Sequence, residues 1–329
     1  MSILVTGGAG YIGSHMVKEL IRQGREVVVL DNLSTGHREA VTDCPLVEAD
    51  LFDGAVLNEV MREYSVEGII HFAASSQVGE SMVKPEKYYK NNLGGTLSLL
   101  EAMVANNVRN IVFSSTAATF GEPAELPITE RCPQRPINVY GRTKLVMEGM
   151  LKDFDRAYGI KSVALRYFNA AGADPDGAIG EDHDPESHLI PLIFQTLTGK
   201  RQFISIYGDD YPTPDGTCIR DYIHVTDLAT AHVLALDALA DGMDSDNFNL
   251  GNGNGFSVKE VIASVERVTG RKVPAVIGER RAGDPAQLIA GSEKIIQKLG
   301  WKPRYADLDQ IVATAWAWAS KHPNGYSIA

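Results

Sequence analysis

Ile3-Leu4-Val5-Thr6-Gly7-Gly8-Ala9-Gly10-Tyr11-Ile12-Gly13 runs from an apolar strand through a glycine-rich turn into the start of a helix. That succession builds a socket for a pyrophosphate. The N–H groups of a first helical turn lack intrahelical acceptors and carry partial positive charge. Glycines let phosphates approach the backbone and permit positive φ in the turn. Two registers fit the spacing, Gly7/Gly10/Gly13 and Gly8/Gly10/Gly13. The expected helix carries Ile12, Met16, Leu20 and Ile21 on one face and stops near Gly24. Glu26-Val27-Val28-Val29-Leu30 then reads as a buried parallel strand ending at Asp31, where a carboxylate can accept bonds from a ribose diol. A carboxylate at that place repels a 2′-phosphate, which favours NAD over NADP. Arg38 is the nearby cation that would argue otherwise.

The strand–helix alternation continues. Val47 leads to Asp50, and Gly68–Phe72 reads as a strand ending in Ala73-Ala74. A helical stretch follows from Tyr88 to Ala105. Asn110–Ser115 reads as a strand, Val139–Tyr158 as a helix stopped by Gly159, and Ser162–Phe168 as a further strand. The expected architecture is α/β: a Rossmann-like, doubly wound parallel sheet over residues 1–168, with a smaller α/β substrate-binding domain over 169–329. The stretch 220–245 is expected to return to the first domain. Ligands of such sheets lie beyond the carboxyl ends of the strands, where Asp31, Asp50, Ala73, Thr116 and Asn169 fall.

Composition narrows the function. In 329 residues, 44% are apolar and 22% charged, with a net charge of −11, which disfavours nonspecific nucleic-acid binding. Cys44, Cys132 and Cys218 are odd in number and far apart, with neither disulfide nor zinc spacing. No segment has the ~20 apolar residues of a membrane span, and the first strand begins so early that a cytoplasmic location is expected. Glu181-Asp182-His183-Asp184 offers metal ligands without calcium-loop spacing, so a solvated loop and no metal are expected.

Tyr140 and Lys144 stand four residues apart, on one face of the expected helix. Bringing a tyrosine from about 10 to about 7 takes roughly 4 kcal/mol of differential stabilisation. A fixed ammonium and an oxidised nicotinamide ring in a dry cleft can supply it, which makes Tyr140 a candidate base. Thr116 ends the preceding strand, where its hydroxyl either bridges substrate and phenol or bonds backbone.

Together these motifs resemble the extended short-chain dehydrogenase/reductases, and within them the nucleotide-sugar epimerases. The likeness runs through T-G-G-A-G-Y-I-G at 6–13, D-N-L-S-T-G-H at 31–37, H-F-A-A at 71–74, S-S-T-A-A-T-F-G at 114–121 and Y-G-R-T-K at 140–144. It continues in R-Y-F-N at 166–169, R-D-Y-I-H-V at 220–225 and R-R-A-G-D-P at 280–285. The resemblance implies an isomerase that interconverts UDP-glucose and UDP-galactose, with Tyr140, Lys144 and Thr116 catalytic. It implies NAD contacts in the glycine loop at Gly7, Gly10, Tyr11, Ile12 and Gly13, and after the second strand at Asp31, Asn32, Ser34, Thr35 and Gly36. Further contacts are implied at Asp50, Leu51, Phe72, Ala73, Ala74 and Ser76, and at Asn91, Tyr140, Lys144 and Phe168.

For the UDP-sugar it implies Thr116, Asn169, His188 and Leu189, the strand Ser205-Ile206-Tyr207, and Arg220, Arg281, Asp284 and Leu288. It also implies a homodimer through the helices around 88–105 and 139–158. Several positions depart from the commonest family pattern. Thr116 replaces a frequent Ser, His188 a frequent Asn, and Ser76 lacks the Lys of some relatives. Leu288 is intermediate between the bulky and small residues that narrow or widen the sugar pocket, which leaves UDP-N-acetylglucosamine or a UDP-pentose as alternative substrates. Ala117 and Ala118 offer no carboxylate for a dehydratase, and a non-catalytic NAD-binding regulator would not need Tyr140 and Lys144.

Overall fold

Ile3, Leu4 and Val5 are fully buried, as are Val28, Val29, Ile69, Ile70, Ile111 and Val112. Such two-sided burial is what a parallel sheet demands of its strands. In the computed structural model, which describes residues 2–281 and 284–326, seven parallel strands form one sheet. Their order is Asp246–Leu250, Lys161–Tyr167, Asn110–Thr116, Val66–His71, Ser2–Thr6, Glu26–Asp31, Leu46–Glu48. The chain starts in the middle and winds outward both ways. The crevice at this reversal lies beyond Thr6, which is in register with Leu30 on one side and His71 on the other.

Helices cover both faces. Tyr11–Arg22 and Val225–Ala240 bury Met16, Leu20, Leu228 and Leu236 on one face. Gly54–Glu63, Gly95–Ala105 and Val139–Tyr158 bury Leu57, Leu99, Leu100, Met147 and Leu151 on the other. The helix at 225–240 packs on Tyr11–Arg22 and leads into the edge strand 246–250, just past the stretch read as returning.

The helix Val139–Tyr158 follows local sequence at both ends. The Asn138 side chain accepts from Gly141 N at 2.7 Å, and Gly159 closes the helix with φ +70°. The stretch 88–105 is less regular than expected. Pro85–Tyr88 is helical, Tyr89–Gly94 forms a wide π-helical turn, and Gly95–Ala105 resumes the α-helix.

A third apolar cluster holds the rest of the chain. Ile193, Phe194, Val261, Val265, Ile311 and Val312 join the helices Leu189–Leu197, Val258–Thr269 and Leu308–Lys321. Short strand pairs fringe it: 169–171 with 222–224, 204–207 with 275–278, and 219–220 with both 256–257 and 287–288. Among the described residues, no helix is long and apolar enough to cross a membrane.

Candidate active site

The three glycines of the loop differ in what requires them. Gly7 has φ +74°, and a Cβ there would lie 2.6 Å from Ala73 N. A Cβ on Gly13 would lie 2.1 Å from Gly7 O. A Cβ on Gly8 would also be tight, 2.7 Å from Val29 Cγ1, but of the two only Gly7 pairs a backbone clash with positive φ, which favours the register Gly7/Gly10/Gly13. Gly10 is extended, and its nearest obstacle is Gly7 O at 3.5 Å. Among the described residues nothing crowds a side chain at Gly10, so the hollow there suits a group from outside, a diphosphate at a helix N-terminus.

The strand ends close round this hollow. Asp31 Oδ2 accepts from Ala9 N at 3.0 Å and Oδ1 from Leu33 N at 2.9 Å, while burial pushes its carboxyl up. Two acceptor positions thus serve the loop itself, and a carboxylate has about four. His37 N donates to Ala9 O at 2.9 Å, and Gly36 lies so close that a Cβ would be 2.8 Å from Ala9 C. Asn32 Nδ2 donates to Asp50 Oδ2 at 2.8 Å, and Ser34 N to Asn32 Oδ1 at 3.1 Å. Phe72 N and Ala73 N both donate to Thr6 O, with Ala74 next along the turn.

Other expected contacts are covered to different degrees. Leu51 is buried in the cluster on one face of the sheet, and Ile12 packs against the cluster on the other. Thr35 and Ser76 are exposed, while Phe168 is half-buried. Tyr11 turns its hydroxyl away to donate to Gly172 O at 2.6 Å. Arg38, the cation that could have signalled a 2′-phosphate, is engaged with Glu48.

Tyr140 and Thr116 meet as expected. Burial raises the Tyr140 phenol to about 12, and a hydrogen bond from Thr116 works the other way. The Thr116 hydroxyl also accepts from Ala118 N at 3.1 Å, so it bonds backbone while standing beside the phenol. Lys144 corrects one expectation. Its Nζ donates to Ser114 O at 2.9 Å and lies 5.9 Å from the centre of the Tyr140 ring. Burial lowers this ammonium to about 7, with Glu148 opposing. The lysine therefore does not by itself depress the phenol; in the protein alone both groups favour their neutral forms.

Sequence reasoning missed the frame that holds these groups. Asn92, in the wide turn, accepts from Ser75 N and donates to Ser75 O and Thr143 Oγ1, tying the 75–76 loop to the Tyr140 helix. Asn91 Nδ2 donates to the same Asn92 side chain at 3.2 Å. Glu148, one turn beyond Lys144, is gripped by Arg166 at 2.6 Å and Ser115 at 2.6 Å. Burial opposes the Glu148 charge, yet these partners hold its carboxyl below the usual range. The H-F-A-A strand end also hides a buried His71, bonded to Thr6 and Thr96 and lowered to about 3 by burial and Lys144.

On the substrate side, Asn169 N donates to Asp221 O at 3.0 Å, and Leu288 is in register with Arg220. Arg220 does not pair with Asp221 or Asp227, the acidic residues nearest to it in the sequence. It lies 3.4 Å from Asp284 and donates to Ile219 O and Pro285 O. Asp221 and Asp227 instead accept backbone N–H groups. Tyr207 is 44% exposed rather than core, and the Arg281 guanidinium stacks over its ring at 4.3 Å. Ser205 and Ile206 share its strand, and Leu189 begins the apolar helix that precedes this strand on the same lobe.

Residues 181–188 depart from expectation. Of the acidic stretch, Asp184 is exposed but Glu181 turns inward with its side chain 8% exposed, joined by Glu186 at 5%. Between them stand His183 and His188. His188, expected on the substrate, turns its Nδ1 to Glu181 at 2.8 Å and Glu186 at 3.1 Å.

A Gly10 hollow, a carboxylate at the end of the second strand and a phenol–threonine pair at the end of the fifth lie on the carboxyl-end side of the sheet. Relatives share the whole frame. The chain is 55% identical to the UDP-glucose 4-epimerase of Halalkalibacterium halodurans over 99% of its length and 98% of the relative's. It matches a crystal structure of UDP-glucose 4-epimerase with a TM-score of 0.98 and 53% identity, covering 100% of both chains. The Bifidobacterium longum UDP-glucose 4-epimerase, in complex with NAD+ and UDP, matches with a TM-score of 0.93 at 40% identity, over 99% of this chain and 100% of the other. Residues 3–251, from the first buried strand past the last strand of the sheet, match one family description, and on that match the chain belongs to the NAD dependent epimerase/dehydratase family.

Proposed function

We propose that the protein interconverts UDP-glucose and UDP-galactose by transient oxidation at sugar C4. The convergence of Tyr140, Thr116 and Lys144 beside the glycine loop is the observation that carries this reading. Gly10, Asp31 and the N-terminus of the helix Tyr11–Arg22 fit a dinucleotide with an unphosphorylated ribose, since Arg38 is already paired. When bound, NAD supplies the acceptor and later the donor of hydride, together with a positive ring near the phenol.

The protein's own residues do the rest. Tyr140 Oη takes the proton of the 4-hydroxyl and later returns it. Thr116 Oγ1 fixes the phenol and shares the sugar oxygen. Lys144, anchored on Ser114 O, holds the nicotinamide ribose. Arg220, Arg281 and Asn169 grip the diphosphate, Leu189 and Tyr207 flank the uracil, and Asp284 reaches its ribose. An arginine fork suits phosphate oxygens, so the nucleotide is held fast while the sugar keeps room to turn. Turning presents the opposite face of C4, and inversion follows with no net redox change.

In this reading the first lobe binds the dinucleotide and the second the UDP-sugar. The protein is a cytoplasmic homodimer. Leu97 and Val146, on the helices Gly95–Ala105 and Val139–Tyr158, are 42% and 41% exposed, and Val83 beside them is 76% exposed. Such apolar side chains on adjoining helices suit a partner surface.

The test is incubation of the purified protein with UDP-galactose and no added cofactor, followed by chromatography of the sugar nucleotides. UDP-glucose is the expected product; its absence after reconstitution with NAD overturns the proposal. Parallel rates on UDP-N-acetylgalactosamine and UDP-arabinose measure how wide a sugar pocket Leu288 leaves.

A further inference from the structure

Two glutamates and two histidines at 181–188 face one point. His183 Nδ1 lies 3.3 Å from Glu181 Oε1 and 3.6 Å from Glu186 Oε2. His188 Nδ1 lies 2.8 Å from Glu181 Oε1 and 3.1 Å from Glu186 Oε1. Bonds of roughly 2.0–2.1 Å to a tetrahedral ion set its ligands about 3.3–3.4 Å apart, close to these spacings.

A second observation points into the same space. Glu181 Oε1 and His183 Nδ1 are buried, and although imidazole nitrogens stand 2.8 and 3.3 Å from that oxygen, neither atom makes a hydrogen bond of proper geometry. Leaving a buried acceptor and a ring nitrogen unmatched costs about 1–3 kcal/mol each. An ion between them satisfies both.

We propose that Glu181, His183, Glu186 and His188 bind one divalent cation of the zinc class in a closed, four-ligand structural site. Two carboxylates and two neutral imidazoles balance a dication, which the two buried carboxylates favour. Two nitrogen and two oxygen ligands suit zinc, whereas magnesium and calcium favour six or more oxygens. Outer contacts orient the ligands. Glu186 Oε1 also accepts from Ser187 N and His188 N at 2.6 and 2.7 Å. The His183 ring stands edge-on to Tyr11 at 6.1 Å. A cavity of about 100 Å³, lined in part by Glu181, His183 and Glu186, gives access. Four protein ligands leave no open position for chemistry. The ion instead clasps the 172–188 loop against Tyr11 of the glycine loop, and the proposal stands independently of the sugar chemistry.

Metal analysis of untagged protein, purified without added metal or chelator, tests this. About one zinc per chain is expected. Chelator-stripped protein should gain thermal stability on adding zinc but not magnesium or calcium. Cobalt should give the visible absorption of a tetrahedral site. H183Q and E181Q should each lower zinc retention at least tenfold; because either could fold poorly, the stripped wild-type protein carries the decision. Wild type that stays folded yet takes up no zinc and shows no zinc-dependent melting shift overturns the proposal. So does a melting shift equal with magnesium or calcium, or zinc retained by both variants.

Discussion

Tyr140 and Lys144 stand in the protein alone with phenol near 12 and ammonium near 7, each displaced toward its neutral form by burial. Placed beside an oxidised dinucleotide and a sugar hydroxyl, the phenol has a charge to lean on that the protein does not provide. Y140F should therefore lose two or more decades of turnover while still co-purifying with NAD, checked by initial rates and the absorbance of released dinucleotide. Near-normal turnover would remove Tyr140 from the mechanism. Lys144 makes a separate prediction about stability. Its unfolded form holds a proton up to about pH 10.5, whereas the folded form releases it near 7. Between these values the unfolded chain binds more protons, so this group makes stability rise with pH. Denaturant unfolding of dinucleotide-free wild type and K144M should show the difference moving in favour of wild type from pH 7 to pH 10. A flat difference would mean that the ammonium is not desolvated.

At the scale of elements, the glycine loop separates two requirements that sequence alone runs together. Gly13 is needed by the fold and Gly10 by the guest. G13A should destabilise the protein even without dinucleotide, because its Cβ would meet Gly7 O at 2.1 Å. G10A should melt near wild type without dinucleotide yet bind NAD at least tenfold more weakly. Equal NAD affinity in G10A would refute the hollow, as read by fluorescence titration.

The same distinction explains what could be read from the sequence. The helix 139–158 was legible at both ends because Asn138 and Gly159 are local caps, and so were the strand ends, because apolar runs stop there. The wide turn at 89–94 was not: Asn92 acts through residues far along the chain, at 75 and 143. Lys144 was placed correctly on the helix face, but its carbonyl partner on Ser114 comes from the neighbouring strand. At 181–188 the adjacent run E-D-H-D drew attention, whereas the converging set takes Glu181, His183, Glu186 and His188. Asp182 instead accepts from Tyr326 N, and Asp184 is exposed. Ligand candidates can be seen in one dimension; which of them turn inward depends on contacts from far along the chain, such as Trp318 against Gly180 and Tyr326 on Asp182.

At the scale of the molecule, the exposed apolar side chains on 78–83, 95–105 and 139–158 flank the same helix that carries Tyr140 and Lys144. The combined variant L97E/V146E should turn a dimer into a monomer by light scattering, with a loss of melting temperature. A wild type already monomeric at micromolar concentration would count against the pairing.

The last strand of the sheet, Asp246–Leu250, lies beside Lys161–Tyr167 only after the chain has made its long excursion through the second lobe. During synthesis, the side of Lys161–Tyr167 that will pair with it must wait uncovered while residues 168–250 are added. At 5–20 residues per second this is on the order of ten seconds, long enough for a nascent edge to recruit a neighbouring polypeptide. The ribosome thus releases six of the seven strands before the closing one exists, and that waiting edge is where a holding chaperone would be needed.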